Sequence, residues 1–351
     1  MDQIEIIKPD DWHVHFRDGE MLKAVVPETT RHFSRSIVMP NLIPPILNGK
    51  DAFQYKKRIE RAIPNGKNFK PFMTVYLTEN TDKYELKESY KSGLIFAVKL
   101  YPAGATTNSD SGVKDLSKVM PVLETMEETG IPLLIHGEST DKEIDIFDRE
   151  KVFIDLILEK ITNRFPDLKV TLEHITTKFA VNYILSKSNN LKASITPHHL
   201  ILNRNDLLLE KIKPHYYCLP ILKRENDRKA LLNVALEGNE NFFLGTDSAP
   251  HDISQKETEC GCAGIFNSVN CIQTLAQLFD NHNKLHNLEK FISINGSIHY
   301  NLNQNEMKIK LVKQNYPISF KKYLIFNNYK IKIFKPPFDV FWNYYDEGNT
   351  Y

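Results

Sequence analysis

Short apolar runs punctuate the chain, each ending on a residue able to do chemistry. Eight can be placed: EIIKPDDWHVHF near the start, SIVMPN at 36–41, FMTVYL at 72–77, IFAVKLY at 95–101, IPLLIHGE at 131–138, KVTLEHIT at 169–176, LKASITPHH at 191–199 and NFFLGTDSAPH at 241–251. Stretches with helical spacing separate most of them. VKDLSKVMPVLETMEETG predicts a helix closed by Gly130, since glycine adopts the left-handed backbone of a helix end at little cost. EKVFIDLILEKITNRFP carries its apolar residues at intervals of three and four. Strands alternating with helices imply parallel βα units. Eight such units predict a (β/α)8 TIM barrel, although an open doubly wound sheet fits the same pattern.

The pattern changes near residue 306. MKIKLVKQNYPISFKKYLIFNNYKIKIFKPPF mixes lysine with aromatic and β-branched residues in partial alternation. It predicts a short β or extended appendage. The expected organisation is a barrel over 1–305, with 306–351 packed on it as part of the same domain.

Composition narrows the class. The length of 351 residues suits one barrel of ~250 residues with elaborations. Lys plus Arg number 45 against 44 Asp plus Glu, so nothing draws the chain generally toward nucleic acid or an anionic membrane. Four cysteines do not suggest a disulfide framework. No run approaches the ~20 apolar residues of a membrane span, and the first residues lack the pattern of a secretion signal. The cytoplasm is the expected compartment.

The chemistry gathers at the ends of the runs. His13 and His15 are two apart, so in a strand both imidazoles face one way and could reach one metal ion. Lys99, His136, His174 and Asp247 also fall at or near the C-terminal ends of proposed strands, the face where barrel catalytic groups converge. Three or more histidines with a carboxylate would suit zinc. Lysine is the odd member, because an ammonium has no lone pair for a cation. Burial beside divalent ions would favour its neutral amine. That amine can combine with carbon dioxide to give a carbamate able to bridge two metals. The bland alternative is that Lys99 forms an ordinary ion pair. Cys260-Gly-Cys262 lacks a second cysteine pair and is expected to pack without a metal. His32, His282, His286 and His299 are expected at the surface or in packing, and His198, His199 and His215 carry no assignment.

In order along the chain, several blocks resemble the dihydroorotases of the amidohydrolase superfamily. They are DDWHVHFRDG, MPNLIPP, VKLYPAGATTNS, LLIHGE, LEHITT, ITPHHLILNRND, KPHYYCLPILKR, LGTDSAPH and CGCAGIFN, the last ending at residue 267. The resemblance weakens after about residue 300. It implies two Zn2+ per subunit, one held by His13, His15 and Asp247, the other by His136 and His174, with carboxylated Lys99 bridging. A hydroxide between the metals would be the nucleophile, and Asp247 would carry its proton to the departing amide nitrogen. The implied reaction interconverts dihydroorotate and N-carbamoyl-L-aspartate.

The same resemblance places Arg17, Asn41 and His251 around the substrate carboxylate, with His136 also facing the substrate. Arg17 offers a planar fork suited to a carboxylate and should share the His15 face if the strand stays regular. Backbone groups of Leu219 and Ala263 would read the ring edge. Thr106 and Thr107 would close as a lid. Outside the resemblance, Asn41 after Pro40 reads as a turn, His251 as a loop histidine and the threonines as a solvated loop. A homodimer acting on a small molecule is implied. Competing readings are another cyclic amidohydrolase (a dihydropyrimidinase, hydantoinase or allantoinase), a non-catalytic partner barrel and a mononuclear zinc deaminase. The complete ligand set and Lys99 argue against the last two.

Overall fold

The strands follow the apolar runs, with one correction at the start. In the computed structural model of the chain, which describes residues 2–187 and 190–345, the first run holds two strands rather than one. They are β1 (Gln3–Ile7) and β2 (Asp10–Val14). Pro9 lies between them, where its missing N–H and fixed φ interrupt a ladder. Seven more strands continue the pattern: β3 (Arg35–Val38), β4 (Lys70–Tyr76), β5 (Ala97–Leu100), β6 (Leu133–His136), β7 (Val170–Glu173), β8 (Leu191–Ile195) and β9 (Phe242–Leu244). Strands β2 to β9 form one eight-stranded sheet in chain order, every ladder parallel.

Backbone hydrogen bonds bring the two edges of that sheet together. Asp247 N donates to His13 O at 2.9 Å, and His15 N donates to Ser248 O at 3.1 Å. This is a (β/α)8 barrel, and the open sheet is excluded. The helix Leu116–Thr129 ends as expected at Gly130, whose φ of 74° lets its N–H reach back to Met126 and Glu127. The second helical stretch is less regular: Arg149–Phe153 and Glu159–Arg164 are joined by a wide π turn over Ile154–Leu158.

The barrel interior has two levels. Near the strand starts, Trp12, Ile37, Phe72, Ala97, Leu134 and Phe243 form an apolar cluster completed by Tyr300, whose ring lies 4.9 Å from that of Trp12. Two residues further along their strands, Lys99 follows Ala97 and His136 follows Leu134, so they face the same side one level up. Outward-facing residues such as Val98, Leu133, Ile135 and Leu172 join the large cluster under the helices. An irregularity in the β2–β3 pairing between Asp11 and Val14 breaks strict alternation. Trp12 can thereby fill the floor while the next residue, His13, serves the mouth.

Beyond residue 305 the chain returns to β structure. Strand β10 (Lys308–Lys313) pairs antiparallel with β1 on one side and β13 (Trp342–Tyr345) on the other, while β11 (Tyr323–Phe326) and β12 (Tyr329–Lys332) form a hairpin. Bridges from Ile331 to Asp252 and from Ile333 to Phe266 tie this region to the barrel mouth. Residues 346–351 of the expected appendage lie outside the described residues.

Candidate metal centre and substrate site

Asp11, the second residue of β2, organises the first ligands. Its Oδ1 accepts from His13 N at 3.2 Å and from Thr246 N at 2.8 Å, and its Oδ2 accepts from the Thr246 hydroxyl at 2.6 Å. One buried carboxylate therefore ties the strand carrying His13 to the turn carrying Asp247. Burial pushes the Asp11 carboxyl up to about 7, against the pull of those hydrogen bonds. His174 and Asp247 both take positive φ, 42° and 45°. Such backbone is costly for non-glycine residues and persists where surroundings over-determine it. At His174 the surroundings include Ser194, whose hydroxyl oxygen accepts from His174 N at 2.9 Å.

The side chains converge. His13 Nε2 and His15 Nε2 are 3.1 Å apart, and they lie 3.3 Å and 3.1 Å from the same oxygen, Asp247 Oδ1. The His174 ring stands 5.0 Å from that of His13 and 4.8 Å from that of His136. All of these groups are buried. Two imidazole nitrogens facing each other and one carboxylate oxygen make a donor set suited to a divalent cation. His174 Nδ1 is buried without a hydrogen-bond partner, a further sign of a ligand atom. The residues present therefore fit a metal centre.

Charge is finely opposed here. Burial works against ionisation of Asp247, but the imidazoles of His13, His15 and His174 outweigh it and hold the carboxyl well below its usual range. Burial lowers His15 to about 4 and His174 well below the usual imidazole value. Lys99 is wholly buried, and desolvation lowers its pKa despite the opposing pull of Glu173 and Asp247.

Sequence reasoning missed Glu173. This carboxylate pairs with Lys99, and its Oε1 lies 3.0 Å from His13 Nδ1 without hydrogen-bond alignment. Unmodified Lys99 thus lies against Glu173 in this structure. A signal was available, because Glu173 follows inward-facing Thr171 by two and precedes His174. Glu138 was missed as well. It follows His136 by two, and its Oε2 stands 2.8 Å from His136 Nε2. His136 meets the His174 ring edge-on, with an interplanar angle of 65°, while its Nε2 faces Glu138.

The proposed substrate residues form a connected rim. Strand β2 ends at Val14, and Arg17 has a φ of 58°, so the strand does not stay regular as far as Arg17. The guanidinium still reaches the mouth: Nε donates to Pro250 O at 3.1 Å and Nη2 lies 2.9 Å from His251 Nε2. That nitrogen is also 2.9 Å from Ala263 O. It cannot accept from Arg17 and donate to Ala263 at once, so the two contacts compete. Burial lowers His251 to about 3, keeping it neutral. On the other side, Asn41 Oδ1 meets His15 Nδ1 at 2.9 Å, and Asn41 Nδ2 donates to Thr107 O at 2.9 Å. Thr106 is held by Ser109, whose Oγ accepts from Thr106 N at 2.8 Å. Leu219 is half-buried, two residues from Tyr217, whose carbonyl accepts from Gly264 N at 2.9 Å.

The unassigned histidines divide. His198, His199 and Cys218 make a second buried group of ligand-type atoms, but His199 is already paired with Thr196 and Pro220. His32 and His299 are buried packing residues. Cys260 is exposed and Cys262 half-buried, so the expected packing role fails for Cys260.

Comparison with known proteins agrees with this geometry. The amidohydrolase family model matches residues 6–306. A dihydroorotase of Sinorhizobium medicae is 52% identical over 342 residues, covering 97% of this chain and 99% of the relative. The crystal structure of a Campylobacter jejuni dihydroorotase aligns with a TM-score of 0.89 at 36% identity, covering 98% of both chains. A Saccharomyces cerevisiae dihydroorotase, solved with 5-fluoroorotic acid, aligns with a TM-score of 0.90 at 32% identity, covering 98% of this chain and 99% of that one. The chain belongs to the amidohydrolase family, within its dihydroorotases, whose reaction is the reversible hydrolysis of the cyclic amide of dihydroorotate.

Proposed function

We propose that this reaction uses two zinc ions, His13, His15 and Asp247 holding one, His136 and His174 the other, and carboxylated Lys99 bridging them. The observation that carries the reading is the approach of His13 Nε2, His15 Nε2 and Asp247 Oδ1 to within 3.3 Å of one another at the barrel mouth. The metal pair would polarise the ring carbonyl and lower the pKa of a water to about 7.

The chain's own groups do the rest. Asp247 accepts the proton of the attacking water and returns it to the amide nitrogen as the ring opens, a task that suits its place at the centre. Arg17, Asn41 and His251 hold the substrate carboxylate, with Arg17 supplying the charge and planar donors. Once a carboxylate engages Arg17, the Arg17–His251 contact is released and the single Nε2–H of neutral His251 is free to turn from Ala263 O to the carboxylate. Backbone groups of Leu219 and Ala263 align the ring edge, and His136 closes the side near the carbonyl. Thr106 and Thr107 lie on a loop docked through Asn41, which supports a lid that excludes water.

For the Lys99 carbamate, the neutral amine nitrogen bonds the carbon of CO2 and releases one proton to solvent. The reading extends to a cytoplasmic homodimer, with residues 306–351 part of the barrel domain. The net charge of +1 and four free cysteines fit that compartment. Among the described residues no helix is long and apolar enough to cross a membrane.

The test is zinc content and dihydroorotate turnover of protein prepared with zinc and bicarbonate, beside Lys99→Ala. Two zinc equivalents in the wild type, with fewer metals and collapsed turnover in the variant, are expected. A variant that keeps both metals and full turnover overturns the bridging role.

A further inference from the structure

Lys256 is a buried cation outside the metal centre, 3% exposed at the end of the short helix Ile253–Lys256. Its ammonium donates to three backbone carbonyls: Tyr217 O at 2.9 Å, Cys262 O at 2.7 Å and Gly264 O at 2.9 Å. Three donors meet three acceptors, which satisfies the group fully without a carboxylate. The acceptors belong to two separate segments. Cys262 and Gly264 flank Ala263, and Tyr217 lies two residues before Leu219.

The consequence is geometric. With the carbonyls on either side of Ala263 drawn to Lys256, the Ala263 carbonyl is left to face His251, 2.9 Å away. Gly264 N closes the same cluster by donating to Tyr217 O at 2.9 Å. Room for this arrangement is made by glycines. A Cβ at Gly261 would lie 2.6 Å from Lys256 O, and Gly264 takes a φ of 148°.

We infer that Lys256 is a positioning residue for substrate recognition, its ammonium fixing the spacing between the two backbone segments that present Leu219 and Ala263 to the substrate ring. The inference rests on the substrate placement proposed above. Its acceptors are all uncharged, and burial, with a smaller contribution from the Arg17 guanidinium, brings the Lys256 pKa down to about 8. Lys256 therefore also adds positive potential on the side where the substrate carboxylate is held. A side chain that merely filled this volume would need no donors, whereas this one uses all three.

The experiment compares zinc-loaded wild type with Lys256→Met and Lys256→Gln in the full chain. It measures kcat and KM for dihydroorotate, inhibition by 5-fluoroorotate, zinc content and melting temperature. Losing hydrogen bonds from a charged donor should raise both KM and the inhibition constant about tenfold in the Met variant. At saturating substrate, kcat should stay within about threefold, because the groups at the reacting atoms are untouched. Gln keeps an amide donor and should fall between the two. A folded, metal-filled Met variant with unchanged KM and inhibition constant overturns the inference. So does a fall in kcat alone, which reports a smaller folded fraction. Should the Met variant fail to fold, the Gln variant decides by the same split. Arg17→Met separates the premise: if it leaves KM for dihydroorotate unchanged, the substrate placement itself is wrong, whatever Lys256 does.

Discussion

Glu150 shows how stability and metal binding are joined in this barrel. It is 2% exposed at the start of the helix Arg149–Phe153, and both carboxylate oxygens face the turn after β7. Oε2 accepts from Thr176 N at 2.7 Å and from the Thr176 hydroxyl at 2.8 Å. Oε1 accepts from Thr177 N at 2.9 Å and from the Thr177 hydroxyl at 2.5 Å. Burial raises the Glu150 pKa, with Lys223 and the threonines opposing.

Glu150→Ala strips the acceptor from four donors. The hydroxyls can rotate away, but the two amide N–H groups cannot. Each buried N–H left unpaired costs roughly 1–3 kcal/mol, so a loss of about 4 kcal/mol is expected. A cost of that size is a large share of a stability of roughly 5–15 kcal/mol. Relief of carboxylate desolvation offsets part of it, which places the expected range at about 2–4 kcal/mol. Since Thr176 follows the proposed ligand His174 by two, zinc bound as proposed should also be released faster to a chelator. Urea unfolding of wild type, Glu150→Ala, Thr176→Val and the double variant measures the loss and the coupling, expected at about 1–2 kcal/mol. A loss below about 1 kcal/mol without coupling would refute the reasoning.

Two further outcomes follow from burial elsewhere. A Cβ at Gly296 would lie 2.0 Å from Trp12 Nε1, inside the packed barrel floor, so Gly296→Ala should cost about 3 kcal/mol or more; an unchanged melting temperature would contradict this packing. Burial and the neighbouring Arg31 depress His32 to about 3 from 6.5, so its contribution is fully present above the unfolded value and is lost as pH falls toward the folded one. Relative to His32→Phe, the wild type should lose about 1.4 kcal/mol per pH unit across that window, and equal slopes in acid urea titrations would remove His32 as the cause.

Much of this architecture could be read from spacing. The alternation at Ala97-Val98-Lys99 and Leu134-Ile135-His136 states which residues face inward, because strand geometry has a period of two. Gly130 marked a helix end for an equally local reason. The strand split at β1 and the loss of regular strand before Arg17 were not legible because neither is decided locally. A positive φ at Arg17 depends on what holds the chain beyond Val14. Gln3–Ile7 pairs with Lys308–Val312, some 300 residues away, and no periodicity announces such a partner. Cys260 was assigned to packing because no second cysteine pair accompanies Cys260-Gly-Cys262, yet its surroundings leave it exposed.

The sequence by itself determined eight strands alternating with helices, the level at which Lys99 and His136 stand, and the class of chemistry that these donors serve. Closure of the sheet into a barrel and the inward turn of His13 came from the tertiary structure. Side-chain period and donor type are properties of residues and their near neighbours. Only the tertiary structure decided that Glu173 pairs with Lys99, that Glu150 secures the turn after His174, and that Lys256 gathers carbonyls from two distant segments. Those assignments depend on which buried charges and polar groups find each other when water is excluded, and that is settled by the closed fold as a whole.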